Sequence, residues 1–428
     1  MTTKAKGQVK ALATKGHHFR VGNWLPADQA VLENWLDDLI AEAADEKQLL
    51  PVIAEFKDLI EGDPEVYMLF NLMFEQVPHK PPYNQDPTGA PQVRSYLHML
   101  QLVNAIMTKA PEFNETGLVG FPINAIFDWA MGTTAGFAAF LNKKVNRQLK
   151  KILQEWAVFL GSPDSRTVLS EDPHKGWFGK DAQAKMPYFD ATFKCSPELP
   201  YHGFASWDAF FTREFRDGLR PVASPQDDAV IVNACESAPY RIATQVKKRD
   251  TFWIKAQPYS LEHMLAQDEL TEQFVGGTVY QAFLSALSYH RWHSPVSGVI
   301  VKAYVVDGTY YSEALAEGFD SSGPNDSQGY ITKMATRALI FIQADNPDIG
   351  LMCVMPVGMA EVSSCQITVY EGQRVSKGDQ LGMFHFGGST HCLFFGPQVK
   401  LEFDMHKQVP GLDSQNIPLN EKIATVVN

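Results

Sequence analysis

The stretch Leu381-Gly-Met-Phe-His-Phe-Gly-Gly-Ser-Thr390 decides how the rest of the chain is interpreted. It follows two polar glycine turns at 370–380, and it predicts an apolar β-strand that ends on two glycines and a serine. Because glycine has no Cβ, Gly387 and Gly388 admit unusual backbone angles and leave room beside the Gly388–Ser389 peptide. A serine hydroxyl there attacks the preceding carbonyl if a base takes its proton and donors hold the oxyanion. The alternative is an ordinary hairpin turn, and these residues alone do not separate the two.

Length and composition describe a soluble globular protein with two or three domains. The chain has 428 residues, of which 45% are hydrophobic and 20% charged. Its net charge of −12 argues against nucleic acid as a partner, because a phosphate backbone needs a basic face. The same charge opposes electrostatic docking on an anionic membrane.

Targeting signals and cysteines point to the cytoplasm. Residues 1–15 are polar and basic and lack the apolar core of a signal peptide. The most apolar long window, 117–141, carries a proline, an asparagine, an aspartate and four glycines, so we expect a buried helix and no stable membrane insertion. The five cysteines form an odd set with no Cys-x-x-Cys pair, which favours reduced thiols and argues against a zinc site.

The chain divides into a helical half and a β-rich half, and we predict an α+β fold. Residues 1–18 are predicted to be a flexible tail, and 19–190 an all-α domain. Its clearest helix is 143–160, where apolar residues occupy one face and lysines another. Residues 191–428 are predicted to form a β-rich, barrel-sandwich domain. The stretch 315–330 is a candidate lid, with disorder as the alternative.

The predicted strands are short β-branched runs bounded by glycine, proline or asparagine. They are Val230–Val232, Val296–Val306, Ala338–Ile342 and Leu351–Val357.

Two histidines stand three residues apart in Tyr289-His-Arg-Trp-His-Ser-Pro295. In an extended segment His290 and His293 face opposite sides, whereas in a tight turn they converge. Acid–base catalysis, a structural aromatic corner and a metal site are the three interpretations. A metal site would require further ligands at useful spacing, and the remaining histidines offer none.

Glu236 directly follows an apolar strand, where its carboxylate is expected to be partly buried and to need a partner. A histidine is a suitable partner, and a surface salt bridge is the alternative. Ser389, His293 and Glu236 together could form a serine, base and orienting group. Such a set serves either a hydrolase that attacks a bound ester or a chain that attacks itself. The sequence around Ser389 has no Gly-x-Ser-x-Gly nucleophile elbow, which argues against a hydrolase.

Several further motifs accompany the two already described. The full set is Phe384–Thr390, Tyr289–Pro295, Phe210–Arg213 with Arg220-Pro221, Tyr259–Leu261, Pro122–Trp129 and Met131–Gly136. In combination the motifs resemble the phosphatidylserine decarboxylase family, and the resemblance covers roughly residues 200–428. The helical half, which contains the last two motifs, resembles the extra amino-terminal domain of a soluble subgroup that includes fungal tryptophan decarboxylases and similar aromatic amino acid decarboxylases.

The resemblance implies a proenzyme that cuts itself between Gly388 and Ser389. Ser389 would form an ester, then a dehydroalanine, and finally a pyruvoyl group with loss of ammonia. Chains 1–388 and 389–428 would remain associated. By position, His293 matches the family's base for cleavage, and His290 matches the histidine of the substrate step. The family usually shows an aspartate followed by glycine where this chain has Glu236 and a serine, which weakens the orienting role of Glu236.

The implied reaction removes carbon dioxide from an α-amino acid. A pyruvoyl ketone forms a Schiff base with the substrate amine and accepts the electrons left by carbon dioxide, so neither pyridoxal phosphate nor a metal is needed. The charge, the expected lack of a membrane segment and the helical half favour a free aromatic amino acid, with tryptophan first. Phosphatidylserine is the alternative substrate. A serine hydrolase and a carrier-type binding module, suggested by the turns at 371–382, are the rival classes.

Overall fold

The computed structural model describes residues 30–43, 48–79, 91–113, 122–250, 259–284, 287–312, 328–361, 364–386, 389–411 and 414–427. The predicted tail 1–18, the glycine pair 387–388 and most of the candidate lid 315–330 lie outside the described residues. The lid prediction is wrong at its end, because residues 328–330 belong to a helix, Gln328–Met334, in which Gln328 and Tyr330 are buried.

The helices gather in the first half of the chain, as predicted. The longest one has a buried face of apolar residues at helical spacing, and the Asn142 side chain caps it by accepting the N–H groups of Lys144 and Val145. Its predicted bounds are confirmed. The helices are α1 Ala30–Glu42, α2 Pro51–Gly62, α3 Pro64–Glu75, α4 Tyr96–Ile106, α5 Pro122–Met131, α6 Thr134–Leu141, α7 Lys143–Leu160, α8 Lys180–Lys185, α9 Phe189–Thr192, α10 Trp207–Phe211, α11 Leu261–Met264 and α12 Gln328–Met334. Three short 3₁₀ helices, Pro163–Val168, Pro200–Gly203 and Glu269–Phe274, connect them to the rest.

The second half is built from short antiparallel strands, and all four predicted runs fall on strands. The strands are β1 Val230–Val232, β2 Ala238–Ala243, β3 Thr278–Leu284, β4 Arg291–His293, β5 Gly298–Val306, β6 Arg337–Ala344, β7 Leu351–Gly358, β8 Ser364–Ile367, β9 Arg374–Val375, β10 Gln380–His385, β11 Ser389–Phe395, β12 Leu401–Phe403 and β13 Lys422–Val426.

The described strands form three open sheets, so the predicted barrel is wrong. A seven-stranded sheet has the order β2-β3-β11-β7-β6-β5-β9, and two three-stranded sheets have the orders β4-β10-β8 and β1-β13-β12. Turn residues in the sequence predict where a strand ends, but the closure of a sheet into a barrel depends on which strands pair at its edges. Here β2 and β9 end the large sheet without pairing to each other within the described residues.

The helical half and the large sheet share one apolar core. The Trp156 ring of α7 meets the Phe386 ring edge-on at 4.6 Å between centroids, and Lys150 of the same helix pairs with Asp307 beyond β5. The predicted boundary between 190 and 191 falls inside α9, and the domain division stays a prediction. Among the described helices, none has both the length and the apolar character required to cross a membrane.

Candidate active site

Ser389 is the first residue of β11, which is the third strand of the large sheet. Its Cα is paired with Leu284 at the end of β3 on one side and with Gly358 at the end of β7 on the other. The strand that precedes it, β10, belongs to a different sheet. The predicted cleavage site therefore lies where the chain passes from one sheet to the next, at an edge formed by three strand ends.

Phe386 precedes the glycine pair and has a left-handed backbone, with φ of 54°. A residue with a Cβ pays roughly 1–2 kcal/mol for that conformation. Its buried ring offsets this cost, because it meets Trp156 at 4.6 Å, Trp207 at 4.8 Å and Phe211 at 6.0 Å between centroids. The chain is thus held in a strained conformation two residues before Gly388.

His293 ends β4 and has a hydrogen-bond partner on each ring nitrogen. Nδ1 lies 2.7 Å from the carbonyl oxygen of Gly378, and Nε2 lies 2.9 Å from the hydroxyl of Tyr289. Because a carbonyl oxygen only accepts, Nδ1 carries the ring proton and donates it. Nε2 then holds a lone pair, to which the Tyr289 hydroxyl donates. This tautomer leaves Nε2 as the basic atom of the ring.

The surroundings of His293 keep the imidazole neutral. Burial lowers its pKa below the usual value, and this outweighs the raising effect of the hydrogen bond to Gly378. Burial also raises the pKa of Tyr289, whose hydroxyl therefore stays protonated and able to donate. A neutral histidine is the form that a general base requires.

Glu236 pairs with Arg220 rather than with His293. Arg220 donates to both carboxylate oxygens, at 2.6 Å and 3.0 Å, and the backbone N–H of Leu419 donates at 2.7 Å. The two segments are still neighbours, because the N–H of His293 donates to the carbonyl of Ala234. Orientation of His293 thus comes from Gly378 and Tyr289, and the sequence did not predict either partner.

His290 is fully buried and stacks on the Phe211 ring at 3.9 Å between centroids. Its carbonyl accepts the N–H of Phe384 in β10, which fixes it beside the strand that leads to Phe386. Phe211 contacts both His290 and Phe386. The structure therefore brings His290 and the approach to Ser389 together, whereas Glu236 lies with Arg220 to one side.

A buried polar network adjoins Ser389, and the sequence reasoning missed it. Thr390 donates its hydroxyl to the carbonyl of Ala282 and accepts from the side chain of Gln281. The oxygen of the Gln281 side chain accepts from the Tyr259 hydroxyl, and its amide donates to Gln328. The signal was a glutamine inside the apolar run of β3. The network ties the start of β11 to β3 and to α12.

Glu361 is a second residue that the sequence reasoning missed. It lies three residues beyond β7 and is buried, with 2% of its surface exposed. Its Oε1 accepts the N–H groups of Ile123 and Asn124, at 2.8 Å and 2.9 Å, in the first turn of α5. Burial raises the pKa of its carboxyl to about 8, against the lowering effect of these bonds. The available signal was a lone acid after a wholly apolar strand.

Comparison with known proteins identifies the family. Two sequence profiles, both described as phosphatidylserine decarboxylase, match residues 50–186 and 207–416. L-tryptophan decarboxylase of Psilocybe cyanescens is 38% identical over 444 aligned residues, which span 98% of this chain and 97% of that protein. Decarboxylase iboD of Amanita muscaria is 45% identical over 302 residues, spanning 66% and 86%.

A more distant relative carries the proenzyme name. Phosphatidylserine decarboxylase proenzyme 3 of Schizosaccharomyces pombe is 31% identical over 222 residues, which span 51% of this chain and 22% of that protein. The two profiles together match most of the chain, and the tryptophan decarboxylase aligns along nearly its whole length. The chain therefore belongs to the phosphatidylserine decarboxylase family and is a carboxy-lyase of the pyruvoyl type.

Proposed function

We propose that the chain cleaves itself between Gly388 and Ser389 and then decarboxylates a free aromatic L-amino acid, with tryptophan preferred. The observation that carries the choice of substrate is similarity along nearly the whole length to proteins named L-tryptophan decarboxylase. The net charge of −12 agrees with a small amino acid rather than an anionic lipid surface.

In the proposed cleavage, the Tyr289 hydroxyl releases Nε2 of His293, and Nε2 then takes the hydroxyl proton of Ser389. The serine oxygen then bonds to the Gly388 carbonyl carbon, and the bond from that carbon to the Ser389 nitrogen breaks as the nitrogen takes a proton. Loss of the Ser389 α-proton and of the Gly388 carboxylate gives dehydroalanine, and water converts it to pyruvoyl and ammonia. A neutral base and the strained backbone at Phe386 support this step.

Strand pairing is expected to hold the two cleavage products together. β11 is hydrogen-bonded on both sides to strands of the larger fragment, β3 and β7. β12 and β13 also lie in the smaller fragment, and β13 pairs with β1. Because a central strand loses its ladder bonds on leaving the sheet, we infer that chains 1–388 and 389–428 remain associated.

In the proposed decarboxylation, the pyruvoyl group would supply a ketone that binds the substrate amine and accepts the electron pair released with carbon dioxide. His290 would return a proton to the former α-carbon. Its ring is held in place by stacking on Phe211, and burial around it excludes water from the reacting carbon. The nearby rings of Trp207 and Phe386 make the surroundings of His290 apolar.

Intact-mass measurement tests the cleavage. The purified protein should consist of two chains, the smaller one blocked by a pyruvoyl group, and Ser389→Ala should remain a single chain. Ser376→Ala is the matched control, because Ser376 is exposed on a turn, and it should be cleaved normally. Cleavage of Ser389→Ala at the same bond would remove Ser389 from the reaction.

The two histidine roles have separate tests. His293→Ala should remain uncleaved, because the base is lost. His290→Ala should cleave but fail to release carbon dioxide from tryptophan. The reverse pattern would exchange the assigned roles.

Product analysis tests the substrate. The purified protein should form tryptamine from tryptophan, and smaller amounts of amine from phenylalanine or tyrosine. Phosphatidylserine vesicles serve as the competing substrate. Turnover of the lipid alone would establish a phosphatidylserine decarboxylase instead.

A further inference from the structure

Three buried polar atoms cluster around the first turns of α5 without a hydrogen-bond partner among the described residues. They are Oδ1 of Asn124, the hydroxyl of Tyr311 and Oε2 of Glu361. A buried polar atom left unpaired costs roughly 1–3 kcal/mol, so an arrangement of three calls for an occupant.

The cluster has a defined geometry. Oε1 of Glu361 is held by the N–H groups of Ile123 and Asn124, which leaves Oε2 as the atom with spare capacity. One turn along α5, the Phe127 ring meets the Tyr311 ring edge-on at 4.9 Å between centroids. The charge of Glu361 also acts on the Tyr311 hydroxyl, which places the two groups near one another.

The walls of the cluster are aromatic. The Phe140 ring lies 5.3 Å from Phe127 and 6.4 Å from Tyr311. Tyr311, Phe127 and Phe140 are each about 1% exposed. The polar atoms are therefore set into an apolar, ring-lined environment rather than a wet surface.

The cluster lies close to Ser389. Gly358 is the cross-strand partner of Ser389, at a typical Cα separation of roughly 5 Å. Glu361 follows Gly358 by three residues, a span of at most roughly 10 Å. A path of side-chain hydrogen bonds also leads from Thr390 toward Glu361. Gln281 bonds both Thr390 and Gln328, and Gln328 donates to the sulfur of Met359. An aromatic amino acid bound through its amine at residue 389 would extend its side chain across this distance.

The chemistry of the three atoms selects the ligand group. The amide oxygen of Asn124 and the hydroxyl of Tyr311 accept hydrogen bonds, and Oε2 of Glu361 does so in its ionised form, which a donor bound to Oε2 favours. A ring N–H donor on a flat apolar body satisfies both the acceptors and the aromatic walls. An ammonium group is the other donor available on an amino acid, but the proposed reaction commits the substrate amine to residue 389.

We propose that Glu361, with Tyr311 and Asn124, binds the ring N–H of an indole side chain and sets the preference for tryptophan over aromatic substrates without a ring donor. This inference rests on the proposed function.

Paired substrates and variants test the inference. The substrates are tryptophan and 3-benzothienylalanine, in which sulfur replaces the ring N–H with little change of shape. The wild-type protein should favour tryptophan by roughly 10- to 100-fold in kcat/KM, the worth of one buried hydrogen bond. In Glu361→Gln, the oxygen is retained by the two backbone N–H groups and the amide NH₂ faces the ligand. The preference should then fall to near unity, through loss of tryptophan turnover alone.

Two further variants complete the design. Tyr311→Phe removes a hydroxyl without removing the ring, and it should lower the same preference by a smaller factor. Glu371→Gln changes an exposed acid on a turn and should leave the preference at its wild-type value. If Glu361→Gln does not fold, the inference is still tested by the preference of the wild-type protein for tryptophan over 3-benzothienylalanine and by its decrease in Tyr311→Phe.

Each contrary outcome has one meaning. Equal turnover of both substrates by the wild-type protein, or an equal loss on both in Glu361→Gln, overturns the inference and leaves Glu361 as a structural cap of α5. Turnover of phosphatidylserine without tryptophan overturns the proposed function, and the inference with it. Formation of tryptamine shows that the proposed function holds when the inference alone fails.

Discussion

Replacing Glu361 by glutamine should make the protein more stable at neutral pH than at acidic pH, relative to its parent. The carboxyl has a raised pKa because burial disfavours its charge more than the bonds to α5 favour it. Between its ordinary pKa of 4.5 and its folded pKa of about 8, the folded state binds a proton that the unfolded state has lost. Stability therefore falls as pH rises through this window, and it levels off above it.

The magnitude follows from the width of the window. Each pH unit inside it costs about 1.4 kcal/mol, so the penalty at pH 7 is about 3 kcal/mol. Glutamine keeps the acceptor for the two α5 N–H groups and carries no charge. The free energy of unfolding of Glu361→Gln minus that of the parent should rise by about 2–3 kcal/mol between about pH 5.5 and pH 7.5.

Urea unfolding at a series of pH values measures this difference. Both proteins carry Ser389→Ala, which by the proposed mechanism keeps each a single chain. Glu371→Gln in the same background accounts for the change in net charge. A difference that stays constant across the series would show that Glu361 is ionised throughout, and the argument from burial would fail.

Other perturbations follow from the same contacts. Arg220→Ala should lower the free energy of unfolding by about 2–3 kcal/mol, because it leaves the largely buried carboxylate of Glu236 with one N–H donor. Arg374→Ala, at an exposed ion pair, should lower it by less than about 1 kcal/mol, and urea unfolding compares the two variants. Phe386→Ala should lower the free energy of unfolding by about 3–5 kcal/mol through lost packing. Phe386→Gly should lower it by about 1 kcal/mol less, because glycine adopts a φ of 54° without strain. Equal losses in the two variants would show that the backbone of Phe386 is not strained. The proposed self-cleavage requires neutral His293, whose pKa is lowered. Its rate should therefore stay constant above about pH 6.5 and fall only at lower pH. A gel time course of newly translated chain measures this rate, and a fall that begins above about pH 6.5 would show that His293 is not the base.

Local patterns in the sequence were enough to predict some of the helices and strands. The apolar stripe of 143–160 and its asparagine cap are contained within a few turns of chain, and α7 has the predicted bounds. The run at 351–357 likewise lies in β7, which is buried along its whole length. In both cases the determining contacts repeat at the period of the element itself.

Contacts between distant segments could not be predicted in the same way. Glu236 pairs with Arg220, sixteen residues away, and nothing in the local pattern around Glu236 indicates this partner. Gly378 is far from His293 in sequence, yet its carbonyl fixes the tautomer of the His293 ring. The Glu361 contact joins residues more than two hundred positions apart. Pairings of this kind depend on strand order and on helix placement over the sheet.

The position of Ser389 would allow the proposed chain break to leave the fold intact. A cut within a helix would remove hydrogen bonds from a continuous ladder, whereas β11 exchanges its bonds with β3 and β7 and needs no continuity with β10. The preceding residues are the ones under strain, since Phe386 is left-handed while its ring is fixed among Trp156 and Trp207. A break after Gly388, as proposed, would leave both strands paired with their own sheets. It would fall in a connection between two sheets whose preceding residue, Phe386, has a strained backbone.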